Sequence, residues 1–338
     1  MTAERGRATV LGAGSWGTTL AAHLCQVDWT ARIWDVDGAN LERIRADHEN
    51  RKYLPGIALP DSLEVMFDLA AALEEADLVV WAVPSVALRG VARAARGALP
   101  ADALEACATK GLEPAGTDGL AHRMSEVLEA ELGDRPRAVL VGPSHAEEVS
   151  RGIPTSIVSA ARRLEWAEAV QDAFFAPRLR VYAQDDLVGV ELGSALKNVI
   201  AIAAGVGDGL GYGDNAKGAL LTRGLAEMSR LGVAAGGRRE TFYGLSGMGD
   251  LITTAISRHS RNRRVGEDLG RGRALPQILA DLGQVAEGVH TAPAAITLAA
   301  RHEVEAPITR EVCALLFEHK SAQDALTDLL SRDPKRES

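Results

Sequence analysis

The run VELGSALKNVIAIAAG, Val190 to Gly205, sets Lys197 and Asn198 inside a helix-forming stretch that is otherwise almost wholly apolar. Burying an ammonium is costly unless it is paired or gives up its proton. On a helical projection Glu191, Ser194, Lys197 and Asn198 share an arc of about 120°, with valine, leucine and isoleucine around the rest. Such a lysine either reaches water from a polar stripe, its stem lying along apolar neighbours, or it handles a proton.

Two later stretches bear on that choice. GLSGMGDLITT, Gly244 to Thr254, is a glycine-rich turn ending in Asp250 and followed by a predicted helix, so Asp250 is either an N-cap or a partner for a cation. SRHSRNRR, Ser257 to Arg264, packs five potential anion donors into one short stretch. It reads as a solvated basic face or as a local phosphate clamp, since arginine offers phosphate a rigid fork of donors.

At the other end of the chain, VLGAGSWGTTLA carries Gly12, Gly14 and Gly17 in GxGxxG spacing, after a β-like run and at the opening of a helix. Gly12 permits the tight turn, Gly14 the approach of backbone to a pyrophosphate, and Gly17 close helix–strand packing. N–H groups at the helix start, near Ser15 and Trp16, would face the anion. The next strand ends at Asp35, where a carboxylate would accept from a ribose 2′-OH and repel a 2′-phosphate, which favours NAD over NADP. Arg32 and Arg51 are the cations within reach in sequence, and a structural glycine turn with a solvated Asp35 is the plainer alternative. WAVPS and ATKGLE also follow strand ends, where open α/β sheets bind ligands, which sets Lys110 toward substrate or cofactor. In VGPSHAEE, Ser144 reads as an N-cap with Glu147 completing a capping box, and His145 as structural.

These residues need elements to hold them. ATVL, ARIW, LVVWAV, LEACAT, AVLV, TSIVSA and RLRVY are β-like runs separated by helix-like segments, the pattern of βαβ units. Beyond about Gln184 the runs are helical. The expected fold is α/β, an N-terminal Rossmann-like, doubly wound, mostly parallel sheet over residues 1–186, then an all-helical domain over 187–338. The tail SRDPKRES reads as frayed.

At 338 residues two domains are expected, and a net charge of −9 argues against a broad surface for nucleic acid or an anionic membrane. No apolar leader precedes the first strand and no stretch approaches ~20 consecutive apolar residues. The three cysteines, Cys25, Cys107 and Cys313, are far apart and form no metal cluster. The expectation is a cytoplasmic protein with no metal and no membrane insertion.

With these motifs in view, the chain resembles the bacterial NAD(P)-dependent glycerol-3-phosphate dehydrogenases over nearly its whole length. GAGSWGT, ATKGLE, GPSHAEE, ELGSALKNVIAIAAG, DGLGYGDNAKGALLTRGLAEM, GMGDLITT, SRNRRVG and GQVAEGVHT carry the resemblance. It implies reversible hydride transfer between NAD(P)H and dihydroxyacetone phosphate, supplying glycerol 3-phosphate for glycerophospholipid synthesis; the apolar surface of the helical second half separately points to a homodimer, with no motif to fix its interface. It implies that Lys197 accepts the proton, with Asn198 beside it, and that Lys110 meets both substrate and nicotinamide. Asp250 and Thr254 would position Lys197 and the substrate, and Ser260, Arg261 and Asn262 would bind the phosphate, with Arg261 also close to the cofactor. Gly142 and Ser144 match substrate-loop positions, and Ser15, Trp16, Ala146, Val285 and Glu287 match cofactor contacts. Burial and a neighbouring cation such as Lys110 would bring Lys197 down from the ordinary ~10.4 toward a working general base. Two departures stand out. Ser144 replaces a threonine of some members and keeps the hydroxyl. WDVD lacks the basic or histidine residue that many members carry after the second strand, which again points to NAD. A hydroxy-acid dehydrogenase and a non-catalytic NAD sensor share the N-terminal glycines and are the rivals.

Overall fold

The computed structural model describes residues 5–114 and 119–331, so all of the tail beyond Ser331 lies outside the described residues. The chain opens with β1 (Arg7–Leu11), α1 (Ser15–Gln26), β2 (Thr30–Trp34), α2 (Gly38–Asp47), β3 (Glu64–Met66) and α3 (Leu69–Leu73). It continues through β4 (Leu78–Trp81), α4 (Ser85–Ala95), β5 (Leu104–Cys107), β6 (Leu112–Glu113), β7 (His122–Arg123) and α5 (Met124–Leu132). β8 (Arg137–Val141), α6 (Ala146–Val149), β9 (Thr155–Ala160), α7 (Leu164–Phe174) and β10 (Leu179–Gln184) follow.

Eight of these strands form one sheet in the order β10-β9-β8-β5-β4-β1-β2-β3. All its pairings are parallel except β8 with β9. The expected α/β, mostly parallel sheet is therefore present. Its central strand β4, LVVW, is buried at every residue, as a strand covered on both faces must be. The edge strand β10 instead alternates, Leu179 and Val181 inward and Arg180 and Tyr182 outward. Three strands were not anticipated, β3, β6 and β7, because runs of two or three residues carry no readable period.

The second half is helical: α8 (Leu187–Gly209), α9 (Asp214–Ala234), α10 (Arg239–Phe242), a π-helical turn at Leu245–Gly249, α11 (Asp250–Ile256) and α12 (Arg261–Gly270). After them come α13 (Leu275–Leu282), α14 (Glu287–Arg301), α15 (Pro307–Phe317) and α16 (Ala322–Leu330). The two compact units divide differently from a single cut at residue 186. One comprises residues 1–110 and 123–191, the other 111–122 and 192–338. The division falls within α8, and a piece with strand β6 belongs with the helices, where it packs on α14.

Within the first unit, Glu191 near the start of α8 is buried and satisfied. Its carboxylate accepts from the Ser125 N–H at 2.8 Å, the Ser125 hydroxyl at 2.6 Å and the Arg123 guanidinium at 2.6 Å. Within the second unit, α8 is the one helix among the described residues long and apolar enough to cross a membrane, and 89% of its most apolar window is buried inside the protein. It is a core helix. Glu227 on α9 caps α15 from outside, accepting from the Ile308 and Thr309 N–H groups, each at 2.9 Å, and from the Thr309 hydroxyl at 2.7 Å.

The α8 and α12 backbones touch because glycine faces backbone on both sides. A Cβ at Gly205 would lie 2.0 Å from the Arg263 carbonyl oxygen, and one at Gly266 would lie 1.9 Å from that of Ile202. This seam sets the register in which Asn198 of α8 meets Asn262 of α12. Gly205→Ala must push the helices apart, with an expected loss of about 1–3 kcal/mol, as for other overpacked cores. The measurement is the urea midpoint at unchanged m-value; an unmoved midpoint would mean that the helices part without cost.

Candidate active site

β1 runs into Gly12, whose φ of 114° turns the chain toward α1. A Cβ there would lie 2.6 Å from the Ala82 carbonyl oxygen, and one at Gly17 would lie 1.9 Å from the Gly12 oxygen, so neither position admits a side chain. Gly14 precedes α1 in extended geometry with no side-chain cap, and a Cβ there would meet nothing within 4 Å. The first N–H groups of a twelve-residue helix thus stand uncapped by any side chain beside open space, the arrangement an anionic phosphate needs. Ser15 and Trp16 open that helix, and the Trp16 indole N–H is buried with no partner among the described residues. These features fit a dinucleotide.

The loop is braced on both sides of one residue. The Ala13 N–H donates to Asp35 Oδ2 at 2.6 Å, and the Ala13 carbonyl accepts from Asn50 Nδ2 at 2.8 Å. Asp35 also accepts from the Asp37 N–H at 2.9 Å, so each carboxylate oxygen already holds backbone. Asn50 is fully buried and uses its whole carboxamide, donating also to Thr18 Oγ1 at 2.7 Å and accepting from Asn40 Nδ2 and the Tyr53 N–H, each at 3.3 Å. Its role was not read from the sequence, and HENRKYLPG offers no periodic or motif signal for it. The two arginines considered as cofactor cations are engaged elsewhere: Arg32 with Glu64 and the carbonyls of Ala71 and Glu74, Arg51 with Asp47 and Glu49. The cation next to this strand end is Lys52, 2.7 Å from Asp37, whose carboxyl it holds below the usual range.

Lys110 stands three residues beyond β5, and its Nζ donates to the Gly142 carbonyl at 2.7 Å. Gly142 follows β8 at a φ of 138°, which turns that oxygen toward the lysine. The Ser144 hydroxyl donates to the same oxygen at 2.9 Å. Ser144 is therefore not the N-cap it was read as. His145 holds that position on α6, with no side-chain cap bond, because α6 starts one residue later than the capping-box pattern requires. Ala146 opens α6, and its carbonyl lies 3.4 Å from the Thr19 hydroxyl one turn into α1.

The helical unit holds the other group. Lys197 is buried, and its Nζ lies 2.9 Å from Asp250 Oδ1 and 2.6 Å from Thr254 Oγ1. The Thr254 hydroxyl lies 3.2 Å from the same Asp250 oxygen. All three side chains are at least nine-tenths buried, so the polar-stripe alternative of a lysine stretching to water does not hold. Nor is Asp250 an N-cap: the π-helical turn before it runs straight on, with Gly249 itself helical. Asn198, one residue on, accepts at Oδ1 from Asn262 Nδ2 at 2.8 Å, and Asn262 Oδ1 accepts from the Gly288 N–H at 2.9 Å.

SRHSRNRR is solvated only in part: Arg258 and Arg264 are exposed, whereas Ser260 and Asn262 are buried. Ser260 caps α12, its oxygen accepting from the Arg263 N–H at 3.2 Å. Arg263 is paired with Asp208 at 2.7 Å and with Glu267 at 3.2 Å. Asn262 points inward, and Arg261 is the first residue of α12. Val285 and Glu287 lie where the chain enters α14, next to Gly288. Gly12, Gly14, Ser15, Trp16, Gly17, Asp35, Lys110, Gly142, Ser144 and Ala146 thus lie in the sheet unit. Lys197, Asn198, Asp250, Thr254, Ser260, Arg261, Asn262, Val285 and Glu287 lie in the helical unit. Among the described residues no group of three or more His, Cys, Asp or Glu could hold a metal ion.

Residues 7–167 match the family described as NAD-dependent glycerol-3-phosphate dehydrogenase N-terminus, and residues 186–327 match its C-terminus. The chain belongs to the NAD-dependent glycerol-3-phosphate dehydrogenase family. It is 48% identical over 329 residues to the glycerol-3-phosphate dehydrogenase (NAD(P)+) of Chlorobium phaeobacteroides, covering 97% of this chain and 98% of that one. The same-named protein of Fusobacterium nucleatum is 44% identical over 331 residues, with 97% and 98% covered. A crystal structure of glycerol-3-phosphate dehydrogenase from Coxiella burnetii superposes with a TM-score of 0.92 at 38% identity, over 97% of this chain and 99% of that chain. As a member of this glycerol-3-phosphate dehydrogenase family the protein is an NAD(P)-dependent oxidoreductase, and the uncapped start of α1 fits its cofactor.

Asn50→Ala removes the brace on the Ala13 carbonyl and leaves Thr18 without its donor. The expected result is dinucleotide binding weakened about tenfold, the order of one buried hydrogen bond. Titration of NADH fluorescence checks it; an unchanged Kd would show that Asp35 and the glycines hold the loop alone.

Proposed function

We propose that this protein is an sn-glycerol-3-phosphate dehydrogenase that moves a hydride reversibly between NAD(P)H and dihydroxyacetone phosphate. The buried Lys197–Asp250–Thr254 triad is the observation that carries the reading: it presents an ammonium held in position by a carboxylate and a hydroxyl on a helix otherwise apolar. In the reducing direction Lys197 gives a proton to the C2 carbonyl oxygen of dihydroxyacetone phosphate. In the oxidising direction the amine takes the hydroxyl proton of glycerol 3-phosphate. Bound nicotinamide supplies or accepts the hydride.

Asp250 stays a carboxylate and orients the ammonium. Thr254, accepting from Lys197, has its own hydroxyl proton turned toward Asp250, so the triad has one consistent polarity. Ser260, Arg261 and Asn262, at the N-terminus of the ten-residue α12, hold the phosphate, with Asn198 beside them. Gripping the phosphate away from the reacting carbon fixes orientation, which is worth several kcal/mol of the barrier, about 7 or more at best. Lys110, tethered through Gly142 and Ser144, supplies a second cation to substrate and nicotinamide. Gly12, Gly14, Ser15, Trp16, Gly17, Ala146, Val285, Glu287 and Arg261 receive the dinucleotide.

NAD is the preferred cofactor in this reading. Asp35 places a carboxylate at the end of β2, where the ribose 2′-hydroxyl is received, and Lys52 is already paired with Asp37. The physiological role is supply of glycerol 3-phosphate for glycerophospholipid synthesis in the cytoplasm, by a homodimer. The exposed Met248, Ile252 and Ile256, at four-residue intervals along one face, support self-association.

Parallel assays with dihydroxyacetone phosphate test substrate and cofactor together. Rapid oxidation of NADH with little of NADPH is expected. Preference for NADPH would overturn the Asp35 argument and leave the enzyme; oxidation of neither, by folded protein that binds both, would overturn the function. Lys197→Ala should cut kcat by several orders of magnitude with NADH binding nearly intact, and near-normal turnover would remove Lys197 from the mechanism. Arg261→Ala should act chiefly on the KM for dihydroxyacetone phosphate.

A further inference from the structure

A closed circuit of hydrogen bonds surrounds the end of β2. The Ala13 and Asp37 N–H groups donate to the two Asp35 oxygens, at 2.6 and 2.9 Å. The Lys52 ammonium lies 2.7 Å from Asp37 Oδ2. Lys52 sits in a turn tied by the Tyr53 N–H to Asn50 Oδ1 at 3.3 Å, and Asn50 Nδ2 returns to the Ala13 carbonyl at 2.8 Å. Asp37 is anchored in this circuit, because its other oxygen caps α2 by accepting from the Asn40 N–H at 3.0 Å. Lys52 is the freer partner, with 41% of its side chain exposed at the end of a long stem. It keeps the Asp37 carboxyl below the usual range, so Asp37 is ionised at neutral pH.

We propose that Asp37 is a specificity-determining residue for the cofactor, holding Lys52, the cation of this strand end, away from the 2′-phosphate of NADP. The proposal rests on the cofactor reading given above, and it moves part of the selectivity from Asp35 to the ion pair beside it. A dinucleotide-binding sheet receives the adenosine ribose at the end of its second strand, where a nearby cation accommodates a 2′-phosphate. Arg32 and Arg51 do not serve, being held by Glu64 and by Asp47 and Glu49. Lys52 has the charge and the reach, but the carboxylates of Asp35 and Asp37 already stand around its ammonium. A phosphate monoester brings roughly 1.5–2 further negative charges to that place, whereas a 2′-hydroxyl brings none. An exposed ion pair is weak in itself. Asp37 therefore discriminates by repelling the phosphate and by turning Lys52 toward itself, and both effects vanish with its charge.

Equilibrium titration with NADH and with NADPH, followed by fluorescence without substrate, tests this in wild type, Asp37→Asn, Lys52→Met and the double variant. Asparagine keeps the cap on α2 and removes the charge; Asp37→Ser, another neutral cap, takes its place should Asp37→Asn not fold. The ratio of the NADPH Kd to the NADH Kd should fall about tenfold in Asp37→Asn, the order of one hydrogen bond to a charged group, with the NADH Kd itself nearly constant. In the Lys52→Met background most of that fall should be lost. A fall of the same size there would assign the gain to bare loss of negative charge or to Arg43, whose charge also reaches Asp37, and would overturn the proposal. Equal changes in both Kd values would show a structural role for Asp37 and overturn it too, as would an unmoved ratio. Wild-type protein that binds NADPH more tightly than NADH overturns the cofactor reading instead, and that result is read before any variant is made.

Discussion

The interaction on which the helical unit is organised is the ion pair of Lys197 with Asp250, closed by Thr254. Two charges removed from water are tolerable only when geometry and hydrogen bonding compensate for the lost hydration, and removing either partner leaves the other uncompensated. That constraint reaches outward. Asp250 must be delivered from a turn rather than a cap, which the π-helical turn before α11 accomplishes by continuing the helix through Gly249. α8 must be covered on nearly all sides, which makes it as apolar as a membrane span while remaining a core helix.

Close backbone approach is the second constraint, and it serves both units. Gly205 and Gly266 let α8 and α12 touch, and Gly12 and Gly17 let the first turn fold onto α1. In each place a buried amide then fixes what the glycines leave free. Asn50 holds the Ala13 carbonyl behind the dinucleotide loop, and Asn262 holds Asn198 and the Gly288 N–H beside the triad. Glycines supply the space and carboxamides supply the polarity.

The β-like runs were legible because strands covered on both faces are continuous apolar stretches, and GxGxxG was legible because its spacing follows from one turn geometry. Lys197 drew notice because a lysine among valines and isoleucines needs a reason. What escaped the sequence has physical causes too. Asn50 and the division inside α8 depend on contacts between segments far apart in the chain, and no local pattern encodes them. Ser144 was misread as a cap because the capping-box spacing is satisfied one residue out of register with the helix that forms. Arg263 looked like an anion donor in SRNRR, but only the fold brings Asp208 to it.

The net charge of −9 poses a problem for a protein that must attract phosphorylated molecules, and the placement of its arginines sharpens it. Arg135 and Arg137 are paired with the buried Glu105. Arg89, Arg93 and Arg96 converge on Glu131, and the guanidinium groups of Arg93 and Arg89 pull that carboxyl down to about 2. Arg263 and Lys217 share Asp208. Cations committed to carboxylates offer an incoming anion little. In the proposed reading, recognition is left to neutral donors with fixed direction, the first N–H groups of α1 and of α12, with Lys110 and Arg261 adding charge locally. A helix terminus needs no counter-charge in the empty state, and its dipole acts only within about one turn. Selectivity for a phosphate at two such points can therefore coexist with a net negative charge on the chain as a whole.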